Sequence, residues 1–342
     1  MEDTRLNRIV LAARPQGAVQ LRDFRFEEAE MPKPGPGEML LKVQYLSLDP
    51  YMRGRMDDRK SYAASTELGA VMPGESIAAV LVSNHPGYRA GDIVLAQTGW
   101  QTHAISDGSA RTRKVDPALA PVTTRLGVLG MPGFSAYSGL KVIGRPAKGE
   151  TVVVAAASGP VGSLVGQLAR IGGARAVGIA GGSTKCGFVK EELGFDEAVD
   201  HRAADFPSQL TAACPAGVDV YFENVGGAVW DAVLPLLNRS ARVPVCGLIA
   251  QYTAPPPESK TDRLATAMRA ILSNRISVQG FINYDFENEH YDDFLREVSQ
   301  GIGDGRIRYR EDIVEGLDKA PEAFIGMLSG RNFGKVLVRV AG

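Results

Sequence analysis

Two patterns of hydrophobic residues follow each other along the chain, and the change falls near Leu126. Before it, short β-branched runs such as 38–46 and 75–82 alternate with turn clusters rich in proline and glycine, as at 32–37 and 86–92. Short strands between frequent turns predict a compact antiparallel barrel.

From about residue 152 to 282, continuous apolar strands alternate with helical segments. Strands buried on both faces and separated by helices are typical of a doubly wound parallel sheet, so an α/β domain is predicted here. The strands are predicted at 152–157, 176–180, 218–222, 242–246 and 276–281, with a helix at 161–171. The last segment, 335–340, alternates polar and apolar residues and predicts a strand that rejoins the first domain.

Composition narrows the class of protein. The 342 residues carry 38 Lys and Arg against 39 Asp and Glu, a formal net charge of −1, which disfavours nucleic acid or an anionic membrane as a partner. No apolar run approaches the ~18 residues of a membrane span, and no signal-peptide pattern follows the N-terminus. The three cysteines are far apart, which predicts reduced thiols in a cytoplasmic protein.

The strongest candidate site is segment 157–162, A-S-G-P-V-G, an A-x-G-x-x-G form of the dinucleotide fingerprint. It follows a predicted strand and opens a predicted helix, which is the context that the motif requires. Gly159 would let backbone N–H groups approach a pyrophosphate, and Gly162 would let the helix pack closely on the strand. Cofactor binding is therefore favoured over a purely structural turn.

The end of the next strand predicts which nicotinamide cofactor binds. NAD enzymes normally have an acid there for the ribose 2′-hydroxyl, but segment 177–182, V-G-I-A-G-G, offers none, and Lys185 follows. An ammonium group attracts a 2′-phosphate, so the pattern predicts NADP. Taken singly, Lys185 is typical of a solvated surface lysine, and only the missing acid favours the cofactor role.

Two other chemistries are disfavoured. Catalytic zinc in the first domain would need Cys and His ligands, yet no cysteine precedes Cys186, and His85 and His103 have no cysteine partner. We interpret His85 as a turn residue and His103 as a strand-edge residue. A serine hydrolase is also disfavoured because no G-x-S-x-G motif occurs.

Four further segments carry a family resemblance: 48–55 (L-D-P-Y-M-R-G-R), 127–133 (G-V-L-G-M-P-G), 222–227 (F-E-N-V-G-G) and 246–252 (C-G-L-I-A-Q-Y). With them, nearly the whole chain resembles the zinc-independent medium-chain dehydrogenase/reductases of the prostaglandin reductase (leukotriene B4 12-hydroxydehydrogenase) and 2-alkenal reductase type. The resemblance implies a GroES-like β-barrel domain at 1–127 with 307–342, and a Rossmann NADP-binding domain at 128–306.

The resemblance also implies an activity, NADPH-dependent reduction of the carbon–carbon double bond of α,β-unsaturated ketones and aldehydes. In this family a tyrosine hydroxyl and the nicotinamide ribose 2′-hydroxyl lie near the substrate oxygen, and the matching residue is Tyr252. Segment 253–257, T-A-P-P-P, resembles the lid loop of the family, although a plain surface loop has the same composition. Tyr51 matches a tyrosine that lines the substrate pocket, or it packs in the barrel core.

By the same matching, a set of residues is expected to contact the cofactor, and Phe281 could instead contribute only its backbone to a core strand. The set comprises Met131, Ser158, Gly159, Pro160, Val161, Gly162, Gly181, Lys185, His201, Asn224, Cys246, Gly247, Leu248, Tyr252, Phe281, Ile282, Asn283 and Asn332. His201 stands where the family usually has tyrosine, and its imidazolium would add charge toward the adenosine phosphate. Arg202 could share this role or be solvated.

Three readings of function follow. The leading one is an enone or enal reductase, the next a quinone reductase of the same superfamily that does not need Tyr252, and the third a non-catalytic NADPH-binding protein. The expected partner is a small-molecule α,β-unsaturated carbonyl substrate. A homodimer is implied by the family and by the apolar strand 276–282, which could extend its sheet across a two-fold axis.

Overall fold

The computed structural model describes residues 5–58, 60–109, 111–252 and 263–340. The chain divides into two compact units, Met1–Gly127 with Glu311–Gly342 and Val128–Arg310. In the described residues, no helix is both long and apolar enough to cross a membrane.

Unit 1 (Met1–Gly127 with Glu311–Gly342) is built mainly from antiparallel strands. Its elements are β1 (Arg5–Leu11), β2 (Phe24–Glu30), β3 (Met39–Ser47), α1 (Tyr51–Arg55), β4 (Ser76–Ser83), β5 (Ile93–Ala96), β6 (His103–Ser106), β7 (Arg113–Lys114), β14 (Glu311–Glu315), α10 (Ala320–Leu328) and β15 (Lys335–Arg339). Strands β1 and β2 form a hairpin, and the larger sheet has the order β14-β15-β3-β4-β5-β7, with β6 on β3. The last strand, β15, pairs antiparallel with β3, so it lies in unit 1 with the N-terminal strands, the domain that the sequence predicts for it.

Unit 2 (Val128–Arg310) is built around a six-stranded parallel sheet of order β10-β9-β8-β11-β12-β13. Its elements are α2 (Met131–Ser138), β8 (Thr151–Val154), α3 (Pro160–Ile171), β9 (Arg175–Ala180), α4 (Ser183–Gly187), β10 (Glu197–Asp200), α5 (Phe206–Ala213), β11 (Val218–Phe222), α6 (Gly227–Val233), β12 (Leu237–Val245), α7 (Ile249–Tyr252), α8 (Arg263–Asn274), β13 (Ser277–Gly280) and α9 (Glu287–Gly303). The strand order reverses between β8 and β11, where ligands bind in doubly wound folds.

The predicted combination of an antiparallel barrel and a doubly wound sheet is confirmed, and two local predictions are corrected. The strand predicted at 152–157 ends at Val154, because the chain turns at Ala156, whose φ is +52°. The alternation predicted for 335–340 is not followed in burial, because Lys335 is buried together with residues 336–338.

Candidate functional site

The phosphate turn follows the carboxyl end of β8. Gly159 donates its N–H to the carbonyl of Ala156 at 2.9 Å, and α3 begins at Pro160. A Cβ at Gly162 would lie inside van der Waals contact of that same Ala156 oxygen, so only glycine lets the helix approach the turn so closely. The first-turn N–H groups of α3 have no partner within their own helix, which suits an anion at this point.

Three basic side chains gather where β9 and β10 end. A Cβ placed at Gly181 would lie 2.9 Å from Nε2 of His201 and 2.9 Å from Nε of Arg202. Lys185, in α4, is close enough for its charge to lower the pKa of His201. Burial of the ring and the Arg202 guanidinium are the larger causes of that lowered pKa. The sequence left the role of Arg202 open, and the structure puts its guanidinium beside His201.

One acid stands beside these basic groups, at the end of β10 rather than β9. Asp200 accepts the N–H groups of Gly182 and Arg202, each at 2.9 Å, and these hydrogen bonds hold its pKa below the usual range. The carboxylate thus fastens the two turns to each other.

The turns after β11 and β12 carry the predicted enolate donor. Asn224 donates its side-chain amide to the carbonyl of Ala155 at 2.8 Å, and its own carbonyl accepts the N–H of Ile249 at 3.2 Å. The hydroxyl of Tyr252 lies 3.5 Å from the Cβ position of Gly247. Tyr252, Gly247 and Asn224 therefore come together, next to the segment that leads into the phosphate turn.

Two other predicted cofactor residues lie in the same turns. Leu248 accepts the N–H of Gln251 at 2.8 Å, which starts the short helix α7. Burial raises the pKa of the Cys246 thiol to about 12, so this group is a neutral thiol rather than a nucleophile.

The remaining predicted residues of unit 2 follow β13 or begin α2. Asn283 is buried and donates its amide to the carbonyl of Met131 at 3.3 Å, while Ile282 caps the turn that starts at Asn283. The ring of Phe281 packs over Gly139 and edge-on against Phe222, with ring centroids 6.3 Å apart. Its ring is thus a packing group.

Unit 1 holds the other two predicted residues. Tyr51 begins α1, packs against the main apolar cluster of this unit, and has the guanidinium carbon of Arg55 5.9 Å from its ring centroid. Asn332 donates its amide to the carbonyl of Gly334 at 2.9 Å. The proline-rich segment 253–257 lies outside the described residues.

Possible metal ligands lie apart from one another in the described part of the chain. Across residues 5–58, 60–109, 111–252 and 263–340, no three His, Cys, Asp or Glu side chains are grouped so that they could hold a metal ion. His85 accepts the N–H of Gly87 in a turn, and His103 begins β6, as predicted. All three cysteines carry free thiols.

The residues of unit 2 fit a dinucleotide phosphorylated on its 2′-hydroxyl. A close helix–turn contact suits the pyrophosphate, the basic groups at Lys185, His201 and Arg202 suit a phosphate, and each of these features follows the carboxyl end of a parallel strand. The sequence predicted the phosphate turn by motif and Lys185 from the missing acid, whereas His201 came from the family resemblance and Arg202 was left open.

Comparison with known proteins shows the family to which the chain belongs. Residues 7–115 match a model described as the N-terminal domain of oxidoreductase, and residues 160–300 match a model described as zinc-binding dehydrogenase. The chain belongs to the medium-chain dehydrogenase/reductases, in the zinc-independent group of the prostaglandin and 2-alkenal reductases.

Individual relatives are similar over almost the whole chain. An NADPH-dependent curcumin reductase of Escherichia coli (strain K12) is 52% identical over 99% of this chain and 98% of its own. A 2-alkenal reductase (NADP(+)-dependent) of Nicotiana tabacum is 39% identical, covering 90% of this chain and 88% of its own. The crystal structure of CurA from Vibrio vulnificus in complex with NADPH has a TM-score of 0.95 and 50% identity, covering 98% of this chain and 99% of that one.

One polar residue at the carboxyl edge of the parallel sheet was not predicted from the sequence. Glu223 directly follows the buried strand β11, is 2% exposed, and accepts two backbone N–H groups. The available signal was an acid immediately after the mostly buried strand β11, at the strand end where ligands bind.

Proposed function

We propose that this protein catalyses the NADPH-dependent reduction of the carbon–carbon double bond of α,β-unsaturated ketones and aldehydes. The observation that carries the proposal is the Tyr252 hydroxyl beside Gly247 and Asn224, in the turn next to the predicted phosphate site. The names of the curcumin and 2-alkenal reductases support both the cofactor and the substrate class.

The residues of unit 2 would have separate roles in cofactor binding and in catalysis. The phosphate turn 157–162 would bind the pyrophosphate, and Lys185, His201 and Arg202 would bind the 2′-phosphate. When bound, NADPH supplies the hydride that the β-carbon of the substrate accepts. Charge then develops on the substrate carbonyl oxygen, and Tyr252 would donate a hydrogen bond to it. Tyr51 and Asn332 stay predictions based on the family resemblance.

Replacing Tyr252 by Phe tests the proposal. Loss of one donor to a developing oxyanion commonly lowers kcat by ~10²–10³, and a drop of that size in enone reduction is expected, measured as loss of NADPH absorbance. Tyr291→Phe is the matched control, because the Tyr291 ring packs on Phe134 and Phe294 and has no proposed role. A Tyr252→Phe rate within about twofold of wild type would remove Tyr252 from the mechanism.

The same assay separates the alternatives. A quinone reductase would consume NADPH with quinones and keep that rate in Tyr252→Phe. A non-catalytic NADPH-binding protein would consume none with any substrate. A panel of 2-alkenals, cyclic enones, curcumin-like dienones and quinones would therefore decide the reaction class and narrow the substrate.

We also propose that the protein is a homodimer through one edge of unit 2. Strand β13 ends the sheet within the described chain, and all four of its residues are exposed. Helix α8 packs next to β12 and exposes Leu264, Met268 and Leu272, which are 68%, 55% and 80% exposed. Residues four apart share a helix face, so these side chains form an apolar stripe. An edge strand beside an apolar stripe supports a two-fold pairing of sheets.

Sedimentation at micromolar concentration tests the dimer. Wild type is expected at twice the chain mass, and Leu264→Lys combined with Leu272→Lys is expected to shift it to the monomer, because charges would enter the interface. Leu119→Lys, at an exposed leucine of unit 1, is the control and should stay dimeric. A monomeric wild type would refute this pairing. A cytoplasmic location stays a prediction from cysteine usage.

A further inference from the structure

Glu223 is the most deeply buried acidic side chain at the carboxyl edge of the parallel sheet that the structure describes, with 2% of its surface exposed. One carboxyl oxygen, Oε1, accepts the N–H of Val225 at 2.6 Å and the N–H of Gly226 at 2.9 Å. Gly226 has φ +76°, a conformation that favours glycine. The carboxyl group therefore closes the turn between β11 and α6 through hydrogen bonds within the turn.

The backbone of the same turn holds the segment that carries Tyr252. The carbonyl of Glu223 accepts the N–H groups of Cys246 at 2.9 Å and Gly247 at 3.2 Å. One residue further, the carbonyl of Asn224 accepts Ile249, and the carbonyl of Val225 accepts Ala250 at 3.0 Å. Four hydrogen bonds thus fasten the start of α7 to the turn that Glu223 closes.

The turn is also fastened on its other side. The side chain of Asn224 donates to Ala155, the residue before the left-handed Ala156 of the phosphate turn. Segments 155–162, 223–226 and 246–252 are therefore joined through one turn, and the side chain that closes this turn is Glu223.

Glu223 does not itself act as an acid or a base in this arrangement. It contacts backbone N–H groups and lies beside the buried Tyr221 hydroxyl, and burial raises its pKa, whereas a general base must reach the substrate. Either protonation state keeps an oxygen that accepts the two N–H groups. Its contribution is geometric.

Resting on the function proposed above, we infer that Glu223 is a positioning residue, which sets the place of the Tyr252 hydroxyl and of Asn224 relative to the phosphate turn. Removal of its carboxyl group leaves two buried N–H groups without their acceptor and frees the turn to move. Both cofactor binding and the contribution of Tyr252 would then weaken together.

The test combines a binding measurement with a double-mutant cycle. Glu223→Ala is expected to raise the Kd of NADPH, followed by nicotinamide fluorescence without substrate, by about tenfold or more. In the Glu223→Ala background, Tyr252→Phe should cost about tenfold less in kcat than it does in wild type, because the hydroxyl is already displaced. Glu223→Gln, which keeps an acceptor oxygen, should restore the Kd to within about threefold.

Glu150→Ala is the control variant. Glu150 precedes β8, at the opposite end of the same sheet, and pairs with Arg242. Its loss would affect stability, but it should change neither the Kd of NADPH nor the effect of Tyr252→Phe. Unfolding curves of each variant show that the measurements are made on folded protein.

Two results would overturn the inference: a Kd within twofold of wild type in Glu223→Ala, or an undiminished effect of Tyr252→Phe in that background. If Glu223→Ala does not fold, Glu223→Asp takes its place, because its shorter side chain withdraws the oxygen from both N–H groups. If the wild type reduces no enone, the proposed function fails, and the Kd measurement still decides the role of Glu223.

Discussion

Each unit of the protein contains a buried carboxyl group next to a predicted site residue, and the two groups have different hydrogen-bond donors. Asp49, in unit 1, is 3% exposed and accepts hydrogen bonds from the ammonium of Lys335 at 2.6 Å and from the Ser47 hydroxyl. It lies two residues before Tyr51. Glu223, in unit 2, has backbone N–H groups as its donors and directly precedes Asn224.

The ion pair of Asp49 and the backbone hydrogen bonds of Glu223 hold different parts of the structure in place. Lys335 is 2% exposed and also donates to the carbonyl of Leu48 at 2.8 Å, so it ties the C-terminal strand β15 to the segment before α1. Such a bond connects positions far apart in sequence. The carboxyl group of Glu223 bonds residues two and three positions ahead, and therefore shapes a turn rather than joining elements.

The ion pair of unit 1 also acts on neighbouring acids. Burial, followed by the charge of Asp49, raises the pKa of Glu75 to about 7, and the charge of Lys335 opposes this shift. Burial likewise raises the pKa of Glu311, and a hydrogen bond from Thr123 and the charge of Lys335 oppose this shift. The charge of one buried lysine thus lowers the pKa of more than one acid in unit 1. The turn at Glu223 is held by backbone N–H groups instead.

The largest effect is expected where the ion pair of unit 1 is broken. Lys335→Met would leave Asp49 as an uncompensated buried charge, which commonly costs ~3–5 kcal/mol, and urea unfolding would measure the loss. Lys319→Met is the control, because Lys319 forms an exposed pair with Asp318 and such pairs contribute ~0–1 kcal/mol. A loss below about 1 kcal/mol in Lys335→Met would mean that the pair does not hold this unit together.

A smaller effect is expected at the carboxyl group of unit 2. Glu223→Gln keeps an oxygen for the two N–H groups, so its free energy of unfolding should fall by no more than about 1 kcal/mol in the same urea experiment. A loss as large as that of Lys335→Met would show that the negative charge, rather than the acceptor, closes this turn, and the comparison between the two units would fail.

The smallest effect is expected at His201. Because its pKa lies below the ordinary 6.5 in the free protein, its ring is neutral at pH 7, and a bound phosphate would favour its protonation. The affinity for NADP+ should therefore rise as the pH falls from 7 through the histidine's lowered pKa, by less than about threefold.

Calorimetric titration of NADP+ into wild type and His201→Tyr across this pH range measures the effect. The cofactor phosphate itself titrates with a pKa near ~6, which weakens binding in acid for both proteins. The informative quantity is therefore the difference between the two pH profiles. Parallel profiles would exclude His201 from the phosphate site.

The sequence by itself determined the features that depend on neighbouring residues. The strand, turn and helix around 157–162 were predicted because strand burial, glycine spacing and helix start are local patterns, and β11 occupies the predicted 218–222. The motifs 222–227 and 246–252 likewise located the predicted donor Tyr252. The sequence missed the turn at Ala156, since a left-handed alanine has no compositional signal.

The tertiary structure alone decided which distant residues meet. The ion pair of Asp49 with Lys335 spans 286 positions, and neither its burial nor its partner follows from the local pattern. The meeting of Glu223, Cys246 and Ala155 through one turn depends on strand order, because β8, β11 and β12 become neighbours only when the parallel sheet forms. Local patterns specify elements, whereas the long-range packing of the sheet specifies which strand ends share a site.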